Sequence, residues 1–443
     1  MCFWACAPAI PVQPDFTTLE ATEQRPGDPD AGYFRLLNDG YVTCGIPASA
    51  YFAVLGEAPA ARRLPGRVGN NARLSYDRTA TLGKTGREII APNCLTCHAA
   101  TLGGQLIVGL GNTTRDFTLD ETPTVAFVGR LLSNAQDIAE HQKFLGRTRV
   151  ISPRTITKTI GVNPADTLAA VIFAHRDPDT LTWSDPALMQ EPPHVIPTDV
   201  PAWWLMRRKN AMFYAGGGTG DHARLMMSAS TLCIDGLEDA RAIDATFNDV
   251  RAYIAQLQAP PYPLTIDVML ADKGAPIYAN HCASCHGTKA DYPNLLVAVS
   301  VVRTDSALAS SGFDSQHLYE DWFNRSFWGE TAQLKSSHGY VAPPLDGVWA
   351  TAPYLHNGSV PTLEALLDSS RRPRFWKRSF ADDEYDVAKV GVKFTEVGAG
   401  HSRGADVTVY DTTELGYSNV GHTFADMLSD GERRALIEHL KTW

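Results

Sequence analysis

Two copies of one five-residue pattern constrain this chain more than anything else in it: Cys94-Leu95-Thr96-Cys97-His98 and Cys282-Ala283-Ser284-Cys285-His286. In a helical turn, positions i, i+3 and i+4 share a face, so each copy presents two thiols and one imidazole together. That arrangement attaches a c-type haem through two thioether bonds and offers the histidine to its iron. Two C-x-x-C pairs also suit a four-cysteine zinc site, but zinc ribbons separate their pairs by about 15–20 residues. Here the first cysteines lie 188 residues apart. Two covalently bound haem c groups, not zinc, are the expectation.

The surroundings of the two motifs repeat as well. "GREIIAPNCLTCH" (86–98) aligns with "GAPIYANHCASCH" (274–286), with Gly, Ile and Ala at matching offsets before the first cysteine. Further on, "RAYIAQL" (251–257) matches "RALIEHL" (434–440). Two modules follow, each with a haem site near its start and an apolar helix at its end. The last helix opens on Ser429 and Glu432 in capping-box spacing. The first module's closing helix, around 244–258, stops at "APPYP". The chain is therefore divided into a tail or signal remnant (1–30), a first cytochrome c-like domain (31–262) and a second (263–443). Long Pro/Gly/Asn-rich connections read as ordered loops wrapped around a large group. The expected fold class is mainly α, with little β structure.

At 443 residues the chain has room for two or three domains. A formal net charge of −10 argues against nucleic acid or anionic lipid as partner. No apolar run reaches the ~18–20 residues of a membrane span. The opening "MCFWACAPAI" is apolar without a basic start; it reads as the remnant of a signal peptide, as a lipoprotein signal ending at Cys6, or as a frayed terminus. A periplasmic or secreted location, with a lipoprotein anchor as one form of it, is expected. Cys2, Cys6, Cys44 and Cys233 lie outside the haem motifs. Cys44 and Cys233 are expected either to pair, which suits an exported chain, or to remain two buried thiols.

What lies on the far side of each iron decides the chemistry. His98 and His286 are the proximal ligands. After His98 no histidine occurs until His141 and no methionine until Met189, and neither His141 nor His175 stands out from a surface or loop histidine. A five-coordinate first haem is expected. Downstream of His286 the second module offers His317, His338, His356, His401, His422 and His439, with Met427 the only thioether there. His422, in the Gly/Asn-rich "GYSNVGH" loop, is favoured as sixth ligand. His356, in "PYLHNGS", is the alternative, with the remaining one of the pair bonding a propionate.

"WWLMRRKNAMFY" (203–214) reads equally as a core stripe with a basic edge or as part of the site. In the second reading Trp203 or Trp204 lies between the haems as a hopping station. Phe213 or Tyr214 then lines the open haem face, and Arg207, Arg208 and Lys209 pair with propionates. Arg371 and Arg372 are propionate candidates by the same charge argument. "AGGGTGDH" lacks the Lys-Ser/Thr of a phosphate loop and reads as a tight turn.

With these segments in place the chain resembles the bacterial diheme cytochrome c peroxidase superfamily. Within it, the chain resembles most the diheme rubber oxygenases and their relatives, through "DGYVTCGIP", "VPAWWLMRRKNAMFY", "GGGTGDHARLMM", "PYLHNGS" and "GYSNVGH". The resemblance implies that His98 holds a dioxygen-binding haem while His286 and His422 bracket a second. The chain departs from the peroxidases where "LLDSSRRP" replaces their usual methionine ligand, and no "DGR" segment is evident. The implied function is a periplasmic diheme oxidoreductase acting with dioxygen on a hydrophobic organic substrate. A hydrogen-peroxide-reducing peroxidase fed by a small redox protein and a non-catalytic electron carrier are the alternatives. Calcium between the domains is a further expectation of the resemblance, with no EF-hand pattern to name its ligands.

Overall fold

A computed structural model describes residues 14–309, 316–380, 385–400 and 406–443. The apolar opening with Cys2 and Cys6, and His401, lie outside the described residues. The chain is 39% helical and 14% strand, so the mainly α class with little β is wrong: this is a mixed α/β fold. The described residues contain fifteen strands in six small sheets, none longer than five residues. Strands of two to five residues offer no readable alternation of apolar and polar positions.

Around the motifs, the repeat in sequence is not a repeat in structure. Before the first motif, Glu88–Pro92 is a strand between Ile46–Pro47 and Arg78–Leu82, with Ala80 opposite Ile90. Its β-branched Ile89 and Ile90 suit a pleated surface, and Pro92 ends it. Before the second motif, Val268–His281 is a helix capped by Asp267, with Pro276 inside it. Only the single turns Leu95–His98 and Ala283–His286 are alike.

The closing helices do correspond. Leu237–Gln256 packs against Pro29–Asn38, and Asp430–Leu440 against Val268–His281. Each crossing is opened by a glycine. A Cβ on Gly32 would meet the Asp249 carbonyl, and one on Gly274 the Ala435 carbonyl. The capping box of Ser429 and Glu432 is formed in full.

The cores cross the chain's midpoint. Leu37, Phe173, Trp203, Phe247 and Ile254 share one cluster with Trp322, Phe323 and Trp328. Tyr278, Trp349, Leu436 and Leu440 share another with Leu110, Trp204 and Leu205. Phe16–Thr18 pairs with Leu295–Ala298, which pairs in turn with Gly339–Val341. Cys44 and Cys233 form a disulfide, with their Cα atoms 5.3 Å apart across 189 residues. No helix among the described residues is long and apolar enough to cross a membrane.

Candidate haem sites

Each motif forms one closed turn: the His98 N–H donates to the Cys94 carbonyl at 3.1 Å, and the His286 N–H to the Cys282 carbonyl at 3.0 Å. All four motif cysteines are unpaired. Burial pushes the Cys94 and Cys282 thiols up to about 11, which keeps them neutral. Around the first turn, the Asn112 N–H donates to the Cys97 carbonyl at 2.8 Å and the Asn163 amide to Cys97 Sγ at 3.0 Å. The His98 side chain is packed in protein and keeps some accessible surface. Its ring stacks on Trp203 with centroids 4.6 Å apart and planes 20° apart. Burial pushes the imidazole down to about 3. The Pro201 carbonyl acts on the ring without an aligned hydrogen bond, so Nδ1 has no partner.

His286 is better anchored. Its Nδ1–H donates to the Pro343 carbonyl at 2.8 Å, which leaves Nε2 bare to bind a metal. The His422 ring lies opposite, with centroids 6.1 Å apart. A metal–imidazole bond of about 2 Å on each side, plus ~1 Å from each ring centre to its nitrogen, places two coordinating rings about 6 Å apart. The pair fits a single iron between them. Burial, with His286 and Arg372 adding to it, pushes His422 down to about 3.

The loop that carries His422 is under tight backbone control. Gly421 and His422 both have positive φ, 77° and 48°, and the His422 N–H donates to the Val302 carbonyl at 2.7 Å. Arg372 sits at the centre of this turn with all its donors engaged. Nε meets the Ala365 carbonyl at 3.2 Å; Nη1 meets those of Asn419 and Gly421 at 2.7 and 2.6 Å. Nη2 meets those of Leu366 and His422 at 3.0 and 3.1 Å. Arg372 therefore has no N–H left for a propionate. Arg371 is likewise tied, to Glu364, Asp368 and Asp430. Arg207 and Arg208 share Asp346.

The remaining histidines are placed elsewhere. His356 stacks on Tyr340 with centroids 4.0 Å apart, and its Nε2 meets the Tyr340 hydroxyl at 3.0 Å. Its own carbonyl accepts the Asp199 N–H at 2.7 Å. His141 Nε2 faces the Val125 carbonyl at 2.7 Å, and His175 bonds the Ser184 carbonyl and Glu191. His317 and His338 are exposed, whereas His439 is half-buried against Tyr278. Sequence reasoning passed over His222, which is buried with Nε2 unpartnered. Only its place beside the glycine-rich turn marks it.

The two tryptophans point into different cores. Trp203 packs with the first cluster against His98, while Trp204 is fully buried in the second, its Nε1 donating to the Asp346 carbonyl at 2.8 Å. Phe213 has φ 67° and is 39% exposed. Beside it, the Tyr214 hydroxyl donates to Asp199 at 2.8 Å, and burial pushes the Asp199 carboxyl up to about 7. No group of three or more His, Cys, Asp or Glu able to hold a metal ion occurs among the described residues.

Comparison with known proteins agrees with this chemistry. Residues 339–377 match the family described as RoxA-like, cytochrome c-like. That stretch holds Pro343 and Arg372, the anchors of His286 and of the His422 loop. The chain is 30% identical over 307 residues to y4iM of Sinorhizobium fredii, named only as an uncharacterized protein; the match covers 60% of this chain and 69% of that one. It is 29% identical over 256 residues to y4iJ, also an uncharacterized protein of that organism, covering 42% of this chain and 41% of the other. The chain belongs to the family that y4iM represents, and within it residues 339–377 resemble a RoxA-like, cytochrome c-like domain.

Proposed function

We propose that the chain is an exported diheme oxidoreductase with one open and one closed iron. Cys94 and Cys97 attach the first haem and Cys282 and Cys285 the second, each in its own cytochrome c-like module. The carrying observation is an asymmetry. His286 has a second imidazole 6.1 Å away, whereas His141 and His175 direct their ring nitrogens to other partners. When bound, the first haem supplies an iron with a free coordination position, and the second an electron store.

The chain's own residues then orient and insulate. His98 holds the open iron, braced by Trp203 on its ring face. Trp204, the next residue, enters the core around the second motif, so the pair spans the two sites as a route for electrons. Phe213, 39% exposed, is the residue assigned to an apolar wall on the open side, where it would favour dioxygen and a hydrophobic organic substrate. His422 and His286 close the second iron to outside ligands. The buried Cys44–Cys233 disulfide supports an oxidising, periplasmic or extracellular location.

Electron paramagnetic resonance of the isolated protein, with and without cyanide, tests this. One exchangeable or high-spin haem beside one unresponsive low-spin haem is expected. Two unresponsive low-spin haems refute it and leave an electron carrier. Oxygen uptake with an alkene separates the oxygenase from a peroxidase, which instead turns over peroxide with a reduced donor protein.

A further inference from the structure

The stretch Gly216–His222 has no part in the reading above. It forms a strand, Gly218–Gly220, against Ala332–Leu334, and then delivers His222 as the first residue of a short helix capped by Asp221. The His222 N–H donates to Gln24 Oε1 at 2.9 Å, which ties the N-terminal segment over it. The ring is 4% exposed and its Nε2 has no partner. It lines a cavity of about 120 Å³ together with Arg251, Arg207 and Gln24. That space holds several waters or one small ligand.

The charges around this cavity are one-sided. Arg251 Nη2 donates to the Arg25 carbonyl at 3.2 Å, its Nε is buried without a partner, and it makes no ion pair among the described residues. Lys209, within electrostatic reach of His222, has the Phe213 carbonyl at 3.5 Å and no carboxylate. Burial pushes the Lys209 amine down to about 8 and lowers His222 and Arg251 too. The neighbouring carboxylates are engaged: Asp221 with Arg25, and Asp346 with Arg207 and Arg208. Arg251, with its Nε unpartnered, and His222, with a bare ring nitrogen, face one cavity that no carboxylate lines, an unfavourable arrangement that an anion relieves.

We propose that this cavity is a carboxylate-binding site, with Arg251 supplying charge and His222 Nε2 a hydrogen bond, and with Lys209 adding charge from beside His222, outside the lining. The anion favours the doubly protonated ring, one N–H on the Asn210 carbonyl and the other on the ligand. The carboxylate has two sources. One is a propionate of the protein's own haem, which rests on the haem reading above; the other is a small diffusible acid, which does not.

Calorimetric titration of the holoprotein with acetate, beside redox titration of its haems, tests the site in wild type, Arg251→Gln and Lys209→Met. For a diffusible acid, acetate gives saturable heat that chloride at equal ionic strength does not. Either substitution then weakens binding by roughly ten-fold or more. For a propionate, acetate gives no heat and both variants shift a haem midpoint potential. In that case the carboxylate band of propionate-labelled haem also moves in the redox infrared difference spectrum. No acetate heat and no moved propionate band in either variant overturns the proposal and leaves a water-filled cavity. Should Arg251→Gln not fold, Lys209→Met carries the same comparison. Failure of the haem reading shows separately, as missing haem absorbance, and leaves the acetate arm intact.

Discussion

Replacing Arg372 by lysine should loosen the second iron without touching any atom that binds it. The guanidinium places five N–H groups on five carbonyls, those of 365, 366, 419, 421 and 422. Lysine brings three donors from a single point, so at least two carbonyls lose their partner. Hydrogen bonds from a charged donor contribute about 1.5–3 kcal/mol each, and two lost at the lower figure cost about 3 kcal/mol. That corresponds to roughly a hundred-fold shift towards a released loop. The loop has little to replace this, because Gly421 and His422 both hold left-handed backbone.

Two assays read the outcome. Carbon monoxide added to the reduced variant should bind a second haem that in wild type is closed. The His422 amide, bonded to the Val302 carbonyl, should exchange with solvent roughly a hundred-fold faster, a readout independent of haem. Arg371→Lys is the control, since Arg371 makes only ion pairs at the surface. If Arg372→Lys keeps a carbon-monoxide-inert second haem and wild-type amide protection, the clamp is not what holds His422.

Further expectations concern other links in the chain of argument. His422→Ala should make the second haem ligand-exchangeable while His356→Ala leaves it closed, read by electron paramagnetic resonance; the reverse pattern exchanges their roles. Replacing Cys44 and Cys233 by alanine should lower the melting temperature markedly, since closing a loop of this length contributes up to about 5 kcal/mol by the chain-entropy account. Gly274→Ala should destabilise by about 1–3 kcal/mol in denaturant titration, because the added methyl meets the Ala435 carbonyl where two helices cross. The Asp199 carboxyl, raised to about 7 by burial, keeps its proton in the folded state when the unfolded chain has lost it. Its contribution to stability therefore falls as pH rises from about 4 to about 7 and is level above that. Asp199→Asn should flatten that slope in melting temperature against pH.

The two motif turns of this protein were legible in the sequence. Two Cys-x-x-Cys-His turns need only local helical geometry, and the closing helices announce themselves through capping and apolar spacing. His422 was favoured for its glycine-rich loop, and the structure does set its ring opposite His286. The small sheets were not legible, because a strand of three residues such as Gly339–Val341 is defined by its partner and not by its own pattern. Nor was the division of labour among the arginines. Charge alone made Arg372 look like a propionate partner, whereas carbonyls brought together from two stretches of chain engage every donor it has.

The sequence by itself determined where the two Cys-x-x-Cys-His turns lie and which histidine each offers, since residues four apart meet in any helical turn. It also determined that two such units lie in one chain. Tertiary structure alone decided which distant histidine faces His286, that Cys44 and Cys233 pair, and that Trp203 and Trp204 enter different cores. It also left His222 unpartnered in a basic cavity. Each of these joins groups far apart in sequence, and what brings them together is packing and backbone hydrogen bonding across the whole chain, which no local pattern encodes.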